Sequence, residues 1–269
     1  MKKNIIYTTL AFLSVLLMPA CSLDETPKDL LPEDEAFRNP KLIYLNTVAS
    51  IYTEIGADNG WGNGLAGTDR GLYDINVMTA DEAIIPVRGA DWEDGGLWKG
   101  LFMHQWTQST DMFNGIWDYL YRVVGKCNLN LDKLKDLQEA DPENIYLPDY
   151  IAELRAIRAM YYYYLLDNFA RVPIVVSSTT SISEVKQAER SEVFKFVVDE
   201  LQEVAPLLKS AKSANQGEYY GRMTKSVAYY LLAKLALNAQ VYTDNSWAEH
   251  TAPAGSTDFT VDGENVGAW

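Results

Sequence analysis

The sequence predicts an all-α fold of paired helices, and two observations carry that reading. Apolar residues recur at three- and four-residue steps in five separate segments, the period of a helix with one buried face. Between the first two segments, residues 56 to 108 abandon the pattern for a stretch with ten glycines from Gly56 to Gly100 and four tryptophans. Successive amphipathic helices with short connections stack as antiparallel pairs, the arrangement of tetratricopeptide-like solenoids. The repeat signatures are degenerate, so periodicity carries the assignment.

The first helix is predicted from Asn39 as N-cap and Pro40 at the first helical position, with Leu42, Leu45, Ala49 and Tyr52 on one face and Gly56 ending it. The second spans roughly 109 to 138, with Phe113, Ile116, Trp117, Leu120, Val124, Cys127, Leu131 and Leu134 forming its stripe and Asp141-Pro142 its stop. The third places Ile151, Leu154, Ile157, Tyr161, Tyr164, Leu165 and Asn168 on a face and stops before Val172-Pro173, because proline cannot continue a helix. Ile174 to Val176 is then read as extended. The fourth is read with Ser191 as N-cap, Glu192 against the positive helix end, and Phe194, Val197, Val198, Leu201, Ala205 and Leu208 inside. Thr224 caps the fifth, which buries Ala228, Leu231, Leu232, Leu235 and Ala239. After Tyr242 the chain turns polar and Gly-rich, so residues 243 to 269 are read as the start of a further, missing half.

The chain has 269 residues, nearly half of them apolar, enough for a substantial core. A net charge of -14 argues against nucleic acid or anionic headgroups as the main ligand and favours a neutral or cationic one. Lys2 and Lys3 precede the apolar run Ile5 to Met18, which is short for a bilayer span and reads as an export signal over residues 1 to 20. Met18-Pro19-Ala20-Cys21 resembles a relaxed lipobox, which makes Cys21 the expected lipid-bearing residue of the mature chain. Ser22, Asp24 and Glu25 then resemble the acidic surface-export signal of Bacteroidetes lipoproteins. Cys127, the other cysteine, lies in a helical pattern and reads as a small buried apolar residue.

Five segments, in order, resemble the SusD-like (RagB/SusD) family of outer-membrane nutrient-uptake lipoproteins. ADEAIIPVRGADWEDGGLW (80 to 98) is similar to the family's Asp-Glu and loop region, and WDYLYRVVGKCN (117 to 128) to its second-helix Trp to Asn signature. IAELRAIRAMYYYYLLDNFARVPIV (151 to 175) is the most specific, although Ala170 and Arg171 stand near the point where the family often has glycine. RSEVFKFVVDELQEVAPLL (190 to 208) and GRMTKSVAYYLLAKLALNAQVY (221 to 242) resemble the next helical pair. The resemblance implies a SusD-like helical-repeat domain over 21 to 242, with 56 to 108 as its loop insertion. It also implies a lipid-anchored protein at the outer membrane, facing outward, that captures oligosaccharide and passes it to a SusC-like TonB-dependent transporter. Members are commonly longer, so half a glycan site is expected here.

A sugar site needs an aromatic platform and a few directed polar groups. Trp92 is the expected platform, Arg88 and Asp91 the hydroxyl partners and Trp98 a second wall, with the alternative that the tryptophans only pin the loop to the helices beneath. Asp81 and Glu82 adjoin one another, which seldom gives the carboxyl separation of glycoside hydrolysis; a cap or loop acceptor is the plainer reading. Arg155 and Arg158 are read as partners of acidic helices rather than as a ligand site. His104 and His250 lack ligands at zinc spacing, and there is no Gly-x-Ser-x-Gly elbow or phosphate loop. Calcium held by carboxylates stays open, although no loop spacing demonstrates it. No catalytic residue, metal-ligand set or cofactor is therefore assigned. The rival functions are an adaptor that binds only the transporter and a glycoside hydrolase.

Overall fold

In the computed structural model the described residues are 33 to 56, 64 to 66, 70 to 212, 214 to 245, 260 to 261 and 264 to 265. The export segment, Cys21 and Trp61 lie outside them. Two compact units divide the chain, Met1–Arg38 and Asn39–Trp269. In the first, helix α1 (Glu33–Ala36) is followed by an Arg38 to Glu35 ion pair at 2.7 Å.

The second unit is mostly helical among its described residues. It opens with α2 (Pro40–Tyr44), a π-helical turn Leu45–Ala49 and α3 (Ser50–Ile55), which run on as one rod. Asn39 caps it as expected, its side chain accepting from the Leu42 N–H at 3.1 Å. The buried face differs from the expected one. Ile43, Thr47, Val48 and Ile51 are inside while Leu45 is exposed, because the π turn holds an extra residue and rotates the stripe.

The insertion is not wholly irregular. It contains α4 (Leu72–Thr79), a short 3-10 turn Asp94–Gly96 and α5 (Leu97–Phe102), and α4 packs on α5 through buried Leu72, Ile75, Met78, Trp98 and Leu101. Then come α6 (Asp111–Ala140) and α7 (Leu147–Phe169). They run antiparallel, since Tyr119 meets Tyr161 and Asn128 meets Arg158. Helix α8 (Arg190–Val204) returns along α7, with Tyr162 against Phe196 and Arg155 against Glu200 and Glu203. Its N-cap is Glu189 rather than Ser191, closed by a capping box in which the Glu192 carboxylate accepts from the Glu189 N–H at 2.8 Å. Pro206 sits in the 3-10 turn Ala205–Leu207 that finishes this helix. Helix α9 (Lys225–Leu237) starts after Thr224 as expected, although the buried Thr224 hydroxyl has no partner. After Asn238 the short α10 (Ala239–Thr243) follows, and β1 (Thr260–Val261) pairs antiparallel with β2 (Glu264–Asn265).

Helix α7 is the centre of this stack. Its residues are buried on nearly every side, including Tyr161, Tyr162 and Tyr163, so it belongs to the core rather than to a two-faced layer. Cys127 is a free buried thiol, and burial pushes its pKa up to about 12, the inert state of a structural cysteine. No described helix is long and apolar enough to cross a membrane.

Two buried ionic clusters clamp α7. Glu153 receives Arg222 Nε at 3.1 Å and Nη2 at 2.6 Å, together with the Tyr52 hydroxyl at 2.5 Å. Arg158 donates to Asn128 at 2.9 Å, to the Val176 carbonyl at 3.0 Å and to Glu200 at 3.0 Å, while Arg155 holds Glu200 and Glu203. Arg155 and Arg158 are thus structural ion-pair partners, as their position suggested.

The helix ends in a classic γ-turn: Ala170 has φ 59° and ψ −73°, and the Arg171 N–H reaches the Phe169 carbonyl at 2.7 Å. That conformation is rare and strained for a residue with a Cβ. Ala170→Gly is expected to raise unfolding free energy by roughly 0.5–1 kcal/mol, the relief of strain exceeding the added freedom of the unfolded chain, as urea titration would measure. Burial pushes the Glu200 pKa up, but the hydrogen bonds and charges of Arg155 and Arg158 outweigh it and hold the carboxyl below its usual range. A folded-state pKa below the unfolded one gives stability that is fully present above the ordinary glutamate range and lost as pH falls through the depressed value. Denaturation midpoints should therefore fall on acidification below about pH 4. Glu200→Gln should flatten part of that loss and cost about 3 kcal/mol at neutral pH, because it strands Arg158.

Candidate functional site

The candidate site is built by the segment between α4 and α6. After Thr79 the chain passes Ala80 and enters a left-handed residue, Asp81, at φ 59°. Asp81 fills the position just beyond the helix where a residue with positive φ ends the last turn. Glu82 follows it, also exposed. Residues 83 to 87, outside any helix or strand, then lead to a tight hairpin in which Arg88 and Asp91 exchange both backbone hydrogen bonds at 3.0 Å. Gly89, the first of the two turn residues, has φ 66°, the sign a II′ hairpin turn requires there.

Past the hairpin the backbone stays left-handed at Trp92 (φ 59°), Asp94 (φ 41°), Gly95 and Gly96. A bulky residue at positive φ is an outlier that its surroundings must hold in place. Trp98 supplies the hold. It is only 4% exposed, donates its indole N–H to Asp94 Oδ2 at 2.5 Å, and lies 6.4 Å from the Trp92 ring, centroid to centroid, at a tilt of 55°. Asp94 in turn pairs with Arg70 at 3.3 Å. Trp92 itself is half exposed, at 50%. The side chains of Arg88 and Asp91 are exposed on the same hairpin, with no hydrogen-bond or ion-pair partner among the described residues.

The four expected site residues therefore separate by environment. Arg88, Asp91 and Trp92 stand together at the surface, whereas Trp98 lies beneath Trp92 and offers little face of its own. Trp106, one of the insertion's four tryptophans but not one of the expected site residues, marks a separate cleft whose lining includes none of the expected four. It is 42% exposed and lines this cleft of about 440 Å³ between α5 and the start of α6, walled also by Arg70, Asp94, Gly100, Gln105 and Thr110. His104 anchors the approach, its ring bonded to the Thr79 carbonyl at 2.9 Å and 5.4 Å from the Trp106 ring. On its other side Trp106 meets Phe113 edge-on at 6.2 Å and borders a second, shallower hollow of about 460 Å³ with Trp117 and Phe169. An aromatic set in the polar run Gln105 to Thr110, immediately before a helix start, was the available signal.

The chemistry of this surface is stacking and hydrogen bonding. The charges that line the 440 Å³ cleft beside Trp106 include the Arg70 to Asp94 pair, which is already closed on itself. Among the described residues no cluster of three or more His, Cys, Asp or Glu could hold a metal ion.

A family model described as starch-binding associating with outer membrane, the SusD-like group, matches residues 77 to 237. The chain belongs to the SusD-like family. The starch-binding protein SusD of Bacteroides thetaiotaomicron is 24% identical over 185 residues, which is 69% of this chain and 31% of that protein. Among solved structures, a laminarin-binding SusD-like protein superposes with TM-score 0.57 at 22% identity, covering 76% of this chain and 41% of that one. Surface glycan-binding protein A from Bacteroides uniformis gives TM-score 0.58 at 22% identity, covering 76% and 43%. These structural likenesses establish the SusD-like helical fold. The chain spans about a third of the length of the curated relative it matches.

Within this SusD-like fold the two neighbouring tryptophans can be told apart by experiment. Trp98→Ala should cost about 3 kcal/mol or more of unfolding free energy, as loss of a buried indole does. Trp92→Ala should change stability by less than about 1 kcal/mol, both read from chemical denaturation.

Proposed function

We propose that this chain is part of a cell-surface glycan-binding lipoprotein that captures oligosaccharide and hands it to a SusC-like TonB-dependent transporter, without bond chemistry of its own. One observation carries the reading: Trp92 is held half exposed, against backbone strain, on a buried Trp98, with Arg88 and Asp91 beside it and the Trp106 cleft close in the chain. A rigid indole face presented at a fixed angle suits the apolar face of a sugar ring, and a guanidinium and a carboxylate suit its vicinal hydroxyls. Strain is what a preorganised binding surface costs. Trp98 acts as the support for Trp92 rather than as a separate wall.

Neutral glucans are the natural class to try first, since SusD binds starch and a structural neighbour binds laminarin, and since the chain's charge of -14 disfavours anionic polymers. The outer-membrane anchor rests on the sequence around Cys21, and delivery to a transporter rests on the family. Asp81 and Glu82 adjoin one another at the end of α4, and neighbouring carboxyls seldom span the separation that glycoside hydrolysis needs, which supports binding over hydrolysis.

Affinity electrophoresis of the full-length lipoprotein in gels containing soluble starch or laminarin tests the reading. Retardation by one of the two should fall at least tenfold in Trp92→Ala and measurably in Trp106→Ala, with no reducing sugar released. Unchanged retardation in both variants would remove the tryptophan surface from the function, and turnover abolished by changing Asp81 or Glu82 would establish the hydrolase instead.

A further inference from the structure

At the opposite end of the α6 and α7 hairpin lies a groove of about 600 Å³ that the proposed site does not include. Three tyrosines from two separate elements form one aromatic ladder along it. Tyr44 lies 5.2 Å from Tyr150, and Tyr150 stacks on Tyr146 at 6.4 Å with an interplanar angle of 26°. Tyr219 contributes a fourth ring from the loop before α9, and the Arg222 guanidinium sits between it and Tyr44, 4.6 Å and 4.4 Å from the two ring centres.

The ladder is fixed before any ligand arrives. The Tyr150 hydroxyl donates to the Pro40 carbonyl at 3.1 Å, and the Tyr44 hydroxyl reaches Glu153 at 3.4 Å. Arg222 beneath them is held by Glu153 in two hydrogen bonds. Tyr146, the outermost ring, remains 47% exposed. At the rim Lys209 pairs with Asp149 at 2.5 Å. The charges facing the groove are thus matched, three cations against three anions: Lys209 pairs with Asp149, Arg222 with Glu153 and, at 3.9 Å, with Glu218, and Lys41 stands at the edge. An ionic ligand finds no net field to enter, whereas a neutral, ring-shaped, hydroxyl-rich one finds stacking faces and a donor-acceptor pair at the rim.

We infer that this tyrosine ladder is a second carbohydrate site that takes a neutral sugar segment, separate from the Trp92 and Trp106 surface. The inference rests on the glycan-binding reading above and deepens it. Helix α6 has 30 residues and a rise of 1.5 Å each, so its two ends stand roughly 45 Å apart. The tryptophan cleft touches its first residues and the tyrosine groove adjoins the start of α7, just beyond its last ones. A short oligosaccharide fills one site at a time, while a polymer engages both, and the second engagement is intramolecular.

The test compares wild type, Tyr146→Ala, the pair Tyr146→Ala with Tyr150→Ala, and Trp92→Ala with Trp106→Ala, each against maltoheptaose, laminarihexaose, soluble starch, laminarin and decaproline. Tyr146→Ala removes only the exposed ring and so keeps the comparison usable should the double tyrosine variant fold poorly. The expected result is that the tyrosine variants lose at least tenfold in polymer affinity but keep hexaose or heptaose affinity at the tryptophan surface within about threefold. In the tryptophan double variant, one of these oligosaccharides should still perturb tyrosine absorbance. Tyrosine variants that bind polymer as wild type does would overturn the second site while leaving the tryptophan site standing. Binding of decaproline in place of sugar at the groove would overturn it in favour of a peptide. No binding of any glycan by wild type would overturn both sites together.

Discussion

Glu153 and Arg158 place two charges inside the most completely buried of the described helices, and the rest of the stack supplies their partners, leaving only the Arg158 Nε–H buried without one. A lone carboxylate or guanidinium in such surroundings would cost several kcal/mol. Every partner that removes this cost comes from another part of the chain: Tyr44 and Tyr52 from the α2–α3 rod, Asn128 from α6, the Val176 carbonyl from the segment after α7, Glu200 from α8 and Arg222 from the loop before α9. Helix α7 therefore cannot be buried until five other segments are in register. Apolar periodicity brings the helices together, and the ionic groups select one arrangement of them, because a slip by a single turn would strand a charge. Apolar faces alone would tolerate such a slip.

That division explains what the sequence disclosed. Helices α6 to α9 were legible from their apolar periodicity, and α6 and α7 also from Pro142 and Pro173 beyond their ends; α8 and α9 end at Val204 and Leu237, short of the expected Leu208 and Ala239. The role of Arg155 and Arg158 was legible as well, since guanidinium groups on a helix among acidic neighbours have few other uses. The buried face of the first helix was not, because the π turn over Leu45–Ala49 shifts the phase and nothing local announces an added residue. Glu189 was passed over as a cap in favour of Ser191, since serine is the commoner cap and only the reciprocal bond with Glu192 reveals the true one. Helices α4 and α5 were hidden by their brevity and by the glycines around them. Partners of Glu153 more than a hundred residues away in sequence, such as Tyr44 and Tyr52, could not be read from spacing at all.

The site shows the same limit on a smaller scale. Trp92 and Trp98 are six residues apart in one glycine-rich segment, and composition assigns them the same role. Their difference arises from a feature visible only in three dimensions: the left-handed residues Trp92, Asp94, Gly95 and Gly96 bend the chain so that one ring is outward and the next inward. The indole N–H of Trp98 then ties to Asp94, and Asp94 to Arg70, so the outward ring stands on a braced support. Gly89 was the readable half of this device, because a glycine between two extended stretches signals a tight turn. The readable half for Trp106 was its polar setting, since a large aromatic among Gln105, Thr107, Gln108 and Ser109 has no local reason to be buried.

A rigid helical hairpin also constrains how two binding surfaces on one protein can communicate. Helix α6 is straight-stacked on α7 by an apolar seam from Ile116 to Leu134, most of it inaccessible to water, and close-packed interiors deform little. Such a close-packed seam gives events at the Asp111 end little means of altering the Tyr146 end. If both ends hold sugar, the link between them is the sugar itself: a polymer long enough to cover the hairpin couples the sites by raising local concentration, and a short product of digestion does not. Selectivity for long chains would then follow from helix length, with no conformational change required of the protein.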